Sequence, residues 1–294
     1  MSSRLWQLRL FGYRTADMST QKTAYVTGGA SGIGRAVVEM LARRGVRVAI
    51  ADVNVQGAQT LASNIQGALA VELNAADWGS QLAAFKQALQ QFGRIDYVYG
   101  IAGVGERTWI PNDPNGVDFA KPDLKTLDVD LNGVLYTSAL AIQQMRRQDP
   151  DERGIRGKIT VVASVCGFYC VPTLPIYTAA KHGVVGFVRS YGKHLPNDGI
   201  TLNAICPDVV RTNISTSAFY ETMEQRKLLV SMESVIEAFE RCLDTDISGE
   251  TLEIEPNSGI THRSAPEPID QDAAESMKIL HGRGASYHEP NKFK

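Results

Sequence analysis

Thr27-Gly28-Gly29-Ala30-Ser31-Gly32-Ile33-Gly34 stands between two runs of different period, and that position decides the fold. Ahead of it, residues 23–27 form a short run suited to a strand. Behind it, Ile33, Val37, Val38 and Leu41 recur at helical spacing until Gly45 interrupts them. The glycines therefore occupy a turn from a strand into a helix. Such a turn lets backbone N–H groups approach a pyrophosphate at the helix amino terminus. Gly28, Ser31, Gly32, Ile33 and Gly34 are the candidate contacts. An acid follows 18 residues after Gly34, where residues 47–52 read as a second strand ending in Asp52.

The alternation continues along the chain. Further strands are expected at residues 70–73, 95–100, 158–163, 201–205 and 251–255. Helices are expected at 56–65, 78–92, 124–145 and 177–195, with a pair of helices in 217–243. Seven strands alternating with helices predict an α/β fold, a single Rossmann-type doubly wound domain with a mostly parallel sheet and helices on both faces. No Pro/Gly/Ser-rich linker divides the pattern, so one domain is assigned to residues 22–260. Residues 1–21 are read as a disordered extension and 261–294 as a polar tail.

The 294 residues are 44% hydrophobic and 21% charged, enough to bury a full core. Thirty basic against thirty-two acidic side chains leave a net charge of −2 and no basic stripe, so nucleic acid is not an expected partner. No apolar run approaches the roughly 20 residues of a membrane-spanning helix. Cys166, Cys170, Cys206 and Cys242 form no CxxC pair, and the five histidines have no ligand spacing, so no metal site is expected. A cytoplasmic setting is the default. Arg4, Arg9 and Arg14, interleaved with apolar residues and no acid before Asp17, hint at a mitochondrial address instead.

Asp52 bears on the choice of nucleotide. A carboxylate at the end of the second strand can accept hydrogen bonds from both adenosine ribose hydroxyls and would repel a 2′-phosphate, so NAD is favoured over NADP. A second constellation is Tyr177-Thr178-Ala179-Ala180-Lys181, which sets a phenol and an ammonium on one helix face. A phenol with a pKa near ~10 in water needs a neighbouring positive charge to act as acid or base at neutral pH. Ser164 ends the fifth strand 13 residues before Tyr177.

With these three groups behind the glycine-rich turn, residues 22–255 resemble the short-chain dehydrogenase/reductase family, which carries a TGxxxGxG loop, a serine ending the fifth strand and a YxxxK motif. The resemblance implies that Ser164 orients the substrate oxygen, that Tyr177 exchanges its proton, and that Lys181 lowers the tyrosine pKa while holding the nicotinamide ribose. It implies nucleotide contacts at Asp52, Val53, Asn74, Ala102, Gly103, Pro207, Val210 and Thr212. It also implies a homodimer or homotetramer, from helices 124–145 and 177–195.

Four positions depart from the family pattern. NNAG appears as Gly100-Ile101-Ala102-Gly103, so an asparagine amide that ties neighbouring strands is replaced by an apolar side chain. Asn74 stands where an aspartate meets the adenine. Asp208 follows Pro207 in place of glycine. The catalytic asparagine aligns with Asp130, whose charge would raise the lysine pKa and partly counter the tyrosine tuning; a shifted register would use Asn132 instead. Apolar residues around the site, including Phe168, Tyr169, Leu174, Ile214 and Phe219, suggest an apolar alcohol or ketone, of a secondary-metabolite type, as the small-molecule partner. The expectation is an NAD-dependent oxidoreductase. The alternative is a nucleotide-binding relative with lost or altered redox activity.

Overall fold

The computed structural model describes residues 21–288, so the reading of the amino-terminal extension and of a mitochondrial address lies outside the described residues. In chain order the elements are β1 (Thr23–Thr27), α1 (Gly32–Arg43), β2 (Arg47–Asp52), α2 (Val55–Ala62), β3 (Leu69–Glu72), α3 (Trp78–Phe92), β4 (Tyr97–Gly100), α4 (Lys125–Leu127), a π-helical turn (Asp128–Asn132), α5 (Gly133–Met145), β5 (Gly157–Val162), α6 (Pro175–Tyr191), β6 (Ile200–Pro207), α7 (Ser217–Gln225), α8 (Met232–Asp244), β7 (Thr251–Glu255), β8 (Gly259–His262) and α9 (Gln271–Ala285).

The strands form one sheet in the order β3-β2-β1-β4-β5-β6-β7-β8, parallel except for β8, which pairs antiparallel with β7. Both faces are covered, which is why β1, β5 and β6 are buried along their whole length. The strand period of two sends Tyr25, Ile159 and Leu202 to one face, where they meet Phe85 of α3, Ala141 of α5 and Val184 of α6. It sends Val26, Ile50 and Ile205 to the other, against Val37 and Leu41 of α1 and Phe239 of α8.

The order reverses between β1 and β4, and there the glycine-rich turn after β1 faces the segment after β4. Residues that follow β5 and β6 come to the same carboxyl edge of the sheet, the usual location of a ligand crevice in doubly wound sheets.

The structure adds to or differs from the sequence reading at three points. The sheet has eight strands rather than seven, because Gly259, at φ +68°, reverses the chain and lets residues 259–262 pair with β7 through backbone bonds. Helix 124–145 is not α-helical throughout: a π-helical turn at Asp128–Asn132 lies within it. Part of the polar tail is helical: the chain divides after His262 into two units, and the second contains α9, whose start is capped by the Asp270 carboxylate accepting from the Ala273 N–H. Among the described residues no helix is long and apolar enough to cross a membrane.

Candidate active site

The first turn of α1 carries its N–H groups outward without local competition. Ser31 occupies the N-cap position in extended conformation but makes no side-chain capping bond, and no acid lies in the first turn. A helix amino terminus left in that state suits an external anion. The glycines are required by space. A Cβ on Gly28, which has φ +68°, would lie 2.7 Å from the Ala102 Cα, and one on Gly34 would lie 2.1 Å from the Gly28 carbonyl oxygen. Gly32, at φ +52°, faces Thr212, whose side chain would be 3.2 Å from a Cβ there. The turn, the segment after β4 and the segment after β6 thus converge on one crevice.

Asp52 locks the turn to β2. Its carboxylate accepts from the Ala30 N–H at 2.9 Å through one oxygen and from the Asn54 N–H at 2.9 Å through the other. Val53, next along, is exposed, as is Asn74, whose side-chain oxygen accepts from the Ala76 N–H at 3.2 Å. Gly103 packs against the Asp130 carboxylate. The tie expected to be missing at Ile101 is supplied from elsewhere: the Thr27 hydroxyl accepts from the Ile101 and Ala102 N–H groups at 3.0 and 3.3 Å and reaches the Tyr99 carbonyl at 3.4 Å. β1 and β4 are joined by a β1 side chain instead of a β4 one.

Ser164 follows β5 in extended conformation, is buried, and accepts from the Cys166 N–H at 3.2 Å. Its hydroxyl is close enough to the Tyr177 phenol to favour the phenolate. Tyr177 lies in the first turn of α6, and Lys181 one turn further holds its Nζ 5.3 Å from the centre of the tyrosine ring. Local sequence favours this helix start, since Pro175 brings no N–H that would need a partner. The structure therefore brings Ser164, Tyr177 and Lys181 together.

Asp130 joins them from the π-helical turn, a distortion that often accompanies functional positions. Its carboxylate stands 3.0 Å from Lys181 Nζ, with the two side chains 0% and 4% exposed, so the pair is sealed from water. Its other oxygen accepts from the Val104 N–H at 2.8 Å, while Lys181 also donates to the Val162 carbonyl at 3.3 Å. Asn132 turns away and donates to Asp128 at 3.2 Å.

Burial sets the net direction and pushes the Tyr177 phenol above its ordinary value; Lys181 pulls it down, as expected, as does the Ser164 hydroxyl, and Asp130 counters them. For Lys181, burial works against the charge, yet Asp130 and Tyr177 outweigh it and raise its pKa.

Beyond β6, Pro207 pairs with Ile254 and the Asp208 N–H donates to the Ile254 carbonyl at 3.0 Å. Burial raises the Asp208 carboxyl; burial, then the neighbouring Asp208 charge, pushes Glu255 up to about 7. Val210 bridges to Val230, and the Thr212 hydroxyl lies 3.3 Å from that of Tyr220. Tyr169, Ile214 and Phe219 expose apolar surface, whereas Tyr220 is buried. No spacing in the sequence points to the tie made by the Thr27 hydroxyl or to Glu106, whose carboxylate accepts from the Tyr177 N–H at 2.7 Å. The signal for each is a contact between segments more than seventy residues apart.

A doubly wound sheet with a glycine-rich turn at its carboxyl edge and a tyrosine–lysine helix beside it is the arrangement of a nucleotide-dependent oxidoreductase. Residues 22–222 match the family model for short chain dehydrogenases, and the chain belongs to the short-chain dehydrogenase/reductase family. It is 33% identical over 244 residues to a short-chain dehydrogenase/reductase of Penicillium rubens, covering 78% of this chain and 86% of that protein. It is 36% identical over 205 residues to human 15-hydroxyprostaglandin dehydrogenase, whose name specifies NAD(+), covering 67% of this chain and 71% of that protein. Among solved structures, 3-hydroxyacyl-CoA dehydrogenase type-2 from Mycobacterium avium superposes with a TM-score of 0.69 at 27% identity, over 86% of this chain and 100% of that one. The protein is thus an oxidoreductase of the kind that interconverts alcohols and ketones.

Proposed function

We propose that the protein is an NAD-dependent oxidoreductase that interconverts an apolar secondary alcohol and the matching ketone, with Tyr177 as the group that exchanges the proton. The observation that carries this reading is the Lys181 ammonium one helical turn from Tyr177, 5.3 Å from the centre of its ring, with Ser164 on the phenol side of the site. The nucleotide cradle fits the cofactor, since the α1 amino terminus is uncapped and the glycines leave no room for side chains. When bound, the nicotinamide supplies the two-electron hydride chemistry that no amino acid side chain can.

Gly28, Ser31, Gly32, Ile33 and Gly34 would hold the pyrophosphate. Asp52 would accept from the adenosine ribose hydroxyls, with Val53, Asn74, Ala102 and Gly103 along the adenosine side and Pro207, Val210 and Thr212 toward the nicotinamide. Ser164 orients the alcohol oxygen by a hydrogen bond. Tyr177 takes the hydroxyl proton in oxidation and returns it in reduction. Lys181, held by Asp130, keeps a positive charge beside the phenol. The exposed apolar surfaces of Tyr169, Ile214 and Phe219 support an apolar substrate, as does the name of the human relative. The resemblance of α5 and α6 to subunit-pairing helices supports a homodimer or homotetramer, which light scattering at the monomer mass would remove.

Tyr177→Phe tests the reading. NADH formation from a panel of apolar secondary alcohols should fall about 10²-fold or more, with NAD binding retained. A second reading, in which the protein keeps the nucleotide and has lost efficient redox chemistry, is favoured by the Asp130–Lys181 pair, because it offsets the charge that would acidify Tyr177. Tight NAD binding without turnover across a broad panel in either direction would select it.

A further inference from the structure

The geometry points to Glu106 as a positioning residue for Tyr177, an inference that rests on the proposed role of that phenol. α6 begins without a cap of its own: Leu174, at the N-cap position, offers no side-chain acceptor, and no acid lies in the first turn. The N–H of Tyr177 needs an acceptor from elsewhere, and it donates to Glu106 Oε2 at 2.7 Å. A carboxylate here also complements the positive end of the helix dipole. The second oxygen, Oε1, is buried without a hydrogen-bond partner.

The bond matters because of what else the same segment holds. Two residues before Glu106, the Val104 N–H donates to Asp130 at 2.8 Å, and Asp130 faces Lys181 at 3.0 Å. The strand-end segment after β4 therefore grips the Tyr177–Lys181 turn at both ends, through the tyrosine backbone and through the lysine's counter-ion. Removing the Glu106 acceptor frees only the tyrosine end. The phenol would then lose its register against Ser164 while the nucleotide cradle stays as it was.

Turnover of a medium-chain secondary alcohol, NAD affinity by protein fluorescence, and melting temperature in Glu106→Ala and Glu106→Gln test this. The alanine variant should lower kcat roughly tenfold or more at a temperature well below its melting point, with NAD affinity within about twofold of wild type. The glutamine variant, which keeps an oxygen acceptor, should recover most of that loss. A capping role alone would move the melting temperature and leave kcat untouched. Wild-type kcat in the alanine variant, or equal loss in both variants, overturns the inference.

Should the alanine variant fail to fold, hydrogen exchange of the Tyr177 amide in the wild-type protein decides: protection supports the bond, and exchange at the rate of a free amide overturns it. Tyr177→Phe separates the two readings. If that variant still turns over, the role of Tyr177 fails and the positioning role with it. If it is inactive while Glu106→Ala is fully active, only the positioning role fails.

Discussion

The carboxylate of Asp130 and the ammonium of Lys181 form an ion pair at 3.0 Å that is closed to solvent. The charge that should favour the Tyr177 phenolate is thereby shared with an anion, and the phenol sits above its ordinary pKa, mainly through burial. By the proposed reading alcohol oxidation needs the phenolate, so its rate should keep rising into the alkaline range. Asp130→Asn keeps an oxygen for the Val104 N–H and removes the charge. The rising limb of oxidation rate against pH should move to lower pH; an unmoved limb would show that Asp130 does not tune the tyrosine. The same variant leaves a buried ammonium without its counter-ion, so stability to urea should fall by about 3 kcal/mol.

Asp52 joins two tasks in one carboxylate. Asp52→Ala loses the acceptor for the Ala30 and Asn54 N–H groups, and by the proposed reading it also loses the partner of the ribose and the repulsion of a 2′-phosphate. The ratio of kcat/KM for NAD to that for NADP should fall at least about tenfold, the equivalent of roughly 1.4 kcal/mol. An unchanged ratio sinks the assignment of NAD.

Thr27 predicts a stability effect at a position with no chemistry of its own. Thr27→Val conserves shape but leaves the Ile101 and Ala102 N–H groups without their acceptor, which should cost about 1–3 kcal/mol in a denaturant titration. Restoring the family-type asparagine at Ile101 in that background should recover part of the loss. Wild-type stability in Thr27→Val would mean that the β1–β4 junction does not depend on this hydroxyl.

Glu255, pushed up to about 7 by burial and by Asp208, makes stability depend on pH in a defined direction. Its folded pKa lies above the unfolded one, so the native state holds the proton more tightly. The contribution is fully present below the ordinary glutamate range and is lost as pH rises through about 7. Glu255→Gln should therefore raise the melting temperature relative to wild type more at pH 8 than at pH 5. Parallel melting curves across that interval would contradict the raised pKa of Glu255.

By itself the sequence determined the parts that depend on near neighbours. The glycine-rich turn, the alternation of periods and the spacing of Ser164, Tyr177 and Lys181 were all legible, because turn conformation and side-chain period are set within a few residues. Tertiary structure decided the contacts made across the crevice. The π-helical turn sends Asp130, the position that the family pattern selects, to Lys181 at 3.0 Å and leaves Asn132 on Asp128, a geometry that spacing does not specify. The Thr27 hydroxyl's tie to the segment after β4, Glu106 and the β7–β8 pairing likewise escaped notice, and α9 was hidden by its polar composition. Hydrogen bonds between residues 26, 71 or 74 positions apart leave no period in the chain, since they exist only when separate strand ends meet at one edge of the sheet.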